Sequence, residues 1–200
     1  LMRTVPPLLE FARMYPELSL EMDYSDRRVN LFEEGVDLAV RITGHLGDSA
    51  VVRKLGSLQL RTVASADYLR DHGRPRHPAD LARHACIIDT NFRDPLIWRF
   101  HGPEGAIAVN LTGRTRYSNA EACLQAAEAG LGIAHLPDFV AGPSLAAGRT
   151  QSLLAAFAEA PGGIFALYPP GRHLAAKVRL LVDYLANYYR GVTDWTVPLP

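Results

Sequence analysis

Three short stretches hold the side chains best suited to chemistry. "YSNAEACLQAAEAG" sets Ser118 and Asn119 ahead of a run of small helix formers that stops at Gly130, and the strand after it carries His135 and ends on Pro137. "RITGHLGDS" offers Arg41, Thr43, Gly44 and His45 directly after an apolar run, and "DTNFRD" offers Asp89, Thr90 and Asn91 after another. A polar residue at a helix start accepts hydrogen bonds from the open N–H groups there, and the same positive end attracts an anion or a carbonyl. Glycines and polar groups also make ordinary solvated turns. Thr43 as a ligand donor and Arg41 or His45 facing a carboxylate therefore stand beside the plain turn as alternatives. His135, inside an apolar strand, is either a hydrogen-bonded core histidine or a ligand contact.

None of these residues makes a reactive constellation. No serine sits in a G-x-S-x-G setting, and no glycine-rich phosphate loop or pair of carboxylates shares one element, so no catalytic residue and no enzyme is expected. The seven histidines include no i, i+4 pair beside a glutamate, and neither a metal nor a cofactor is expected. Cys86 and Cys123 have neither redox spacing nor zinc-site neighbours, and read as buried, reduced thiols of a cytosolic protein. Basic and acidic residues balance at 21 each, so the chain has no overall positive field with which to hold a nucleic acid. No apolar run reaches the length of about 18 residues that a membrane helix needs. The opening "LMRTVPPLLEF" has none of the marks of a signal peptide and reads as the interior of a longer protein.

The elements that must position these groups follow from periodicity and punctuation. A 200-residue chain with 48% hydrophobic content can bury a sizeable core, as one domain or two small lobes. Leu8, Leu9, Phe11 and Ala12 recur at helical spacing over 5–15, with Pro6 and Pro7 in a first turn that tolerates them. "LSLEMDY" (18–24) alternates as a strand, and Ser25 or Asp26 caps a short helix to about Glu34. Strands are expected over 36–42, 50–56 and 58–64, the last two parted by a turn at Gly56-Ser57. Ser65 then caps a helix closed by Gly73. A helical turn precedes strand 85–89, "LIWRF" and "AIAVN" form a hairpin, and a helix over 119–129 leads into strand 132–136. An apolar helical stretch to Gly148, interrupted at Gly142-Pro143, precedes a short strand in "TQSLL" and another at 164–170. The closing helix, 173–190, places Leu174, Val178, Leu181, Leu185 and Tyr188 on one face. Strand and helix alternate, which is an α/β pattern. The strand 58–64 follows another with no helix between, and the late return at 164–168 suggests two lobes with a hinged ligand cleft.

In this order the segments resemble the effector-binding domain of LysR-type transcriptional regulators. The likeness rests on "LLEFARMYPELSLEM", "LFEEGVDLAVRI" with "LGDSAVVRKLG", "RTVASADYLRDHGRPRHPADLARHACI", "WRF" followed by "GRTRYSNAEACLQAAEAGLGIAHLPDF", and the closing helix, and it covers nearly the whole chain. The resemblance implies two Rossmann-like lobes joined by two crossover strands, as in type 2 periplasmic binding proteins, with the first strand missing. Lobe I would be 1–59 plus 164–200 and lobe II 60–163. It implies that a winged helix-turn-helix and a linker helix lie outside this sequence, so DNA would be bound only through that absent part. The positions matching family cleft positions are Thr43 with Arg41 and Gly44, Ser65, Asp89 to Asn91, Ser118, Asn119 and Leu136-Pro137. A small, carboxylate-bearing effector in the inter-lobe cleft, a cytoplasmic location, a homodimer of this domain through helices 5–15 and 119–129, and a homotetramer of the whole protein complete the expectation. The alternative function is a solute-binding protein of a transport system, which would carry a signal peptide or lipid anchor upstream.

Overall fold

Ser65 and Asn119 each cap the start of a helix where hydrophobic periodicity alone would leave the end open. The computed structural model describes residues 5–24, 35–42, 50–159, 162–170 and 175–190. The chain separates into two compact units, one built from Leu1–Ser57 with Gly162–Thr193 and the other from Leu58–Pro161.

In the first unit, helix α1 (Val5–Met14) buries Phe11 completely. Its partner is the carboxyl-terminal helix α5 (Ala176–Arg190): the Phe11 and Tyr184 rings lie 5.3 Å apart, and the Tyr184 hydroxyl donates to Glu10 at 2.8 Å. A three-stranded sheet has strand β10 (Gly162–Tyr168) between β1 (Ala39–Ile42) and β2 (Val51–Leu58). β1 runs antiparallel to β10, with Ala39 opposite Leu167 and Ile42 opposite Ile164. Ion pairs from Arg53 to Asp183 and from Lys177 to Asp37 tie α5 to the strand segments.

The second unit is a five-stranded sheet in the order β7-β4-β8-β3-β9, from β3 (Leu60–Ala64), β4 (Cys86–Asp89), β7 (Thr115–Tyr117), β8 (Ile133–Pro137) and β9 (Gln151–Leu153). β4 is parallel to β7 and β8, while β3 is antiparallel to β8 and β9. On one face Val63, Ile87, Ala134 and Leu136 pack against Cys123, Ala126 and Ala127 of α3 (Ala120–Glu128) and Ala141 of α4 (Asp138–Ala146). Small side chains on α3 let that helix lie close on the strands. The other face meets Tyr68 of α2 (Ala66–His72), Leu81 of a 3₁₀ helix, and the hairpin β5 (Ile97–Gly102) and β6 (Gly105–Asn110), which contributes Trp98, Phe100 and Val109. Ser65 caps α2 by accepting the Tyr68 N–H, and Gly73 closes it at φ 79.

Four expectations change. The segment 18–24 is not a strand, because alternation supplies a buried face but no ladder, and among the described residues it has no partner strand. Gly56 and Ser57 lie inside β2, and the break falls at Gln59. α4 runs through Gly142 and Pro143 without interruption. The buried stripe of α5 is Val178, Val182, Leu185, Ala186 and Tyr189, so Leu181 and Tyr188 sit at its margins. The helix expected over 25–34 and Leu174 lie outside the described residues.

Candidate functional site

Because β4, β7 and β8 are parallel, their carboxyl ends share one edge of the second unit's sheet. β4 lies between the other two, and α3 carries the chain from β7 past β4 to β8. Such an edge, where successive crossovers leave a central strand on different sides, is where open α/β sheets present loops to ligands. Asp89 ends β4 with 7% of its surface exposed, and its Oδ1 accepts the Asn91 N–H at 2.9 Å. This tight turn leaves Thr90 and Asn91 exposed. The Thr90 N–H and hydroxyl both donate to the Tyr117 carbonyl, at 2.8 and 3.3 Å, and Asn91 Nδ2 donates to the Ser118 carbonyl at 2.8 Å. The loop after β4 is thereby laced to the loop after β7.

Asn119 holds the start of α3. Its Oδ1 accepts the N–H groups of Glu121 and Ala122 at 2.9 and 3.1 Å, a cap whose loss typically costs about 1 kcal/mol. Ser118, beside it, is exposed at the positive end of the helix. Pro137 closes β8 and is buried; the next residue, Asp138, was not anticipated as significant. Asp138 is 6% exposed, accepts the Gln59 N–H at 2.9 Å, and donates its own N–H to the Gln59 carbonyl at 2.8 Å. Burial raises its pKa, opposed by the N–H groups of Gln59 and Phe139 and by the charge of Arg61. An acid opening an apolar helical stretch directly after Leu-Pro was the available signal.

The remaining residues fall elsewhere. Ser65 lies at the opposite edge of the sheet, since β3 runs against β8, and its hydroxyl holds the α2 start with Gly130 alongside. His135 is in the core: its Nδ1 is 3.0 Å from Thr62 Oγ1, and its ring stacks on Trp98 at 5.1 Å. Burial lowers its pKa to about 4, so the ring is neutral near pH 7. Arg41 lies on β1 in the first unit, and Thr43, Gly44 and His45 lie outside the described residues. Thus Asp89, Thr90, Asn91, Ser118, Asn119 and Pro137 share one edge, and Ser65 and His135 do not join them. The edge presents oriented donors, acceptors and a helix start. Both thiols are buried with pKa pushed up to about 12, by burial first, and are unreactive. Among the described residues no cluster of three or more His, Cys, Asp or Glu could hold a metal ion, and no helix is long and apolar enough to cross a membrane.

Residues 2–190 match the family model of the LysR substrate binding domain. The chain belongs to that family. It is 31% identical over 185 residues to the HTH-type transcriptional regulator DmlR of Escherichia coli, covering 92% of this chain and 60% of DmlR. It is 32% identical over 178 residues to PtxR of Pseudomonas aeruginosa, an HTH-type transcriptional regulator, covering 89% of this chain and 57% of that one. The chain therefore spans less than two thirds of these relatives' length. Among solved structures, the regulatory domain of CrgA, a LysR-type transcriptional regulator from Neisseria meningitidis, superposes with a TM-score of 0.80 at 25% identity, covering 94% of this chain and 92% of that one. Full-length AphB, a virulence activator of Vibrio cholerae, gives 0.79 at 26% identity, covering 94% of this chain and 64% of AphB. The LysR-family domain has the α/β fold of these regulatory domains, of the type 2 periplasmic-binding-protein-like class. Its relatives named here are transcriptional regulators, and nothing found supports the transport alternative.

Proposed function

We propose that this LysR-family domain is the sensor of a cytoplasmic DNA-binding transcriptional regulator, and that it binds a small carboxylate-bearing effector at the edge formed by Asp89 to Asn91, Ser118, Asn119 and Pro137. The observation that carries this reading is the lacing of the Asp89–Asn91 turn to Ser118 beside the start of α3. It holds the exposed side chains of Thr90, Asn91 and Ser118 together beside a helix end that favours an anion. The effector would act by binding one arrangement of the protein better than another, and the shift would be passed to a DNA-binding part outside the span of this chain. Homodimers of the domain would use α1 and α3; Leu9 and Met14 on α1, each 52% exposed, and Leu131 just past α3, at 45%, supply apolar surface for such contacts.

The test begins with a thermal-shift panel of small carboxylates, amino acids and neutral metabolites. A ligand at about a hundred times its dissociation constant adds about 2.7 kcal/mol of stability, a shift of several degrees. For a carboxylate hit, Asn91→Ala with Asn119→Ala should weaken binding tenfold or more, roughly 1.4 kcal/mol, while circular dichroism reports an unchanged fold. Unchanged affinity in isothermal titration would refute the site.

A further inference from the structure

We propose that Asp138 is the positioning residue for the passage of the chain between the two units: its carboxylate anchors Gln59, so that strand β2 and the effector edge are set together. The chain leaves the first unit after Ser57, near the end of β2, and Gln59 alone separates β2 from β3. These two strands belong to different sheets. A single residue at the end of an element is where a chain absorbs the backbone rotation of a hinge. Gln59 is held there on both sides, its N–H donating to Asp138 Oδ2 at 2.9 Å and its carbonyl accepting the Asp138 N–H at 2.8 Å.

The pairing of β3 with β8 explains why a side chain is needed. Leu60 lies opposite Pro137 and Arg61 opposite Leu136, so Gln59 falls opposite Asp138. In an antiparallel ladder, pairs that exchange hydrogen bonds alternate with pairs that do not, and Pro137, with no N–H to give, suits a pair of the second kind. The next pair, Gln59 with Asp138, is then one that exchanges two bonds. Asp138 is also the first residue of α4, and a helix turns that carbonyl toward the N–H four residues on. The carboxylate takes the place of the diverted carbonyl: Oδ2 meets Gln59, and Oδ1 accepts the Phe139 N–H at 2.9 Å. In this way β8 becomes a helix without releasing the residue opposite its end.

A buried acid is a costly way to start a helix. Asp138 is 6% exposed, and the charge of Arg61 favours its ionised form against that burial. A single hydroxyl oxygen would hold the Phe139 N–H at lower cost; the second oxygen of the carboxylate is what reaches Gln59. Pro137, one residue earlier, closes the effector edge, so a change at that edge lies next to the anchor of the crossover. The use of the anchor in sensing rests on the reading of the edge given above, whereas the anchoring itself does not.

The experiment uses isotope-labelled, ligand-free protein and two NMR readings. Asp138→Ala should speed hydrogen exchange of the Gln59 amide about tenfold relative to that of Ile133, the loss expected for a bond to a charged acceptor. Residual dipolar couplings, fitted separately for α1 with α5 and for α3, should give a changed ratio of alignment magnitudes in the same variant. Ser65→Ala removes the cap of α2 in the same unit, and Gln59→Ala keeps the backbone atoms that the anchor uses; both should leave the ratio as in the native protein. Asp138→Asn, of the same size with one acceptor oxygen in place of two, should fall between native and Asp138→Ala, and it carries the test if the alanine variant does not fold. An unchanged ratio in the Asp138 variants would overturn the proposal and reduce Asp138 to a local cap. An equal change in Ser65→Ala would also overturn it, since any loss of stability would then suffice. No effector enters these measurements, so a failure of carboxylates to bind would refute the effector edge and leave this result standing.

Discussion

Protonating His135 would put a positive charge into the core between Trp98 and Phe100, and burial is the cause that holds its pKa at about 4 against a usual 6.5. The folded state thus resists a proton that the unfolded chain accepts. Its contribution to stability is complete above pH 6.5 and is lost as the pH falls from 6.5 toward 4. Between pH 7 and pH 5 the native protein should lose roughly 2 kcal/mol through this group. His135→Phe, which keeps a ring in place, should flatten that part of the profile in urea denaturation at the two pH values. Identical slopes would mean that His135 takes up its proton in the folded state. Asp138 works in the opposite sense: its raised pKa makes a contribution that is present below 3.8 and declines as the pH rises above it. Native and variant proteins share it, as they share the lowered pKa of His84, so the difference isolates His135.

Elements with local punctuation could be read from the sequence, and elements decided by distant partners could not. Asn119 starting α3, Ser65 starting α2 and Gly73 ending it all act within a few residues of themselves. The segment 18–24 misled because alternation is visible in a sequence while a hydrogen-bonding neighbour is not. In α5 leucines and tyrosines occupy several faces, and which face is buried depends on what packs against it. At the candidate site the Asp89–Asn91 turn and the Asn119 cap were legible, but the clasp between Asp138 and Gln59 joins residues 79 apart. The entry to β8 gives a direct check on packing at this scale. A Cβ on Gly132, at φ 156, would lie 2.4 Å from the Ala85 carbonyl oxygen, the atom that accepts the Ile133 N–H at 2.8 Å. Gly132→Ala should therefore cost about 3 kcal/mol, by breaking the bond that sets β8 beside β4. Gly130→Ala, at φ 77 with only Ser65 Oγ 3.6 Å away, should cost about 1 kcal/mol. Equal urea midpoints for the two variants would show that the backbone at Gly132 can shift aside.

The charge of the whole molecule separates what this domain senses from what the regulator would bind. Basic and acidic residues are equal at 21 each, and nearly all the positive charge is arginine. Four of these arginines are paired locally: Arg70 with Asp67 and Asp71, Arg83 with Asp80, Arg99 with Asp94 and Arg149 with Glu128. These exposed pairs add little stability one by one, but each removes a cation from the field a phosphate backbone would feel. Binding of duplex DNA draws its non-specific affinity from cations that release condensed counterions, and a balanced surface offers few. The chain alone should therefore leave a DNA duplex unshifted in a gel at about 10 µM protein and physiological salt, where ordinary non-specific binders are already engaged. A full-length relative of the DmlR type should shift its operator under the same conditions, and that retardation should weaken steeply with salt. Retardation by this chain alone would place a DNA contact in the domain itself and refute the division of labour proposed for it.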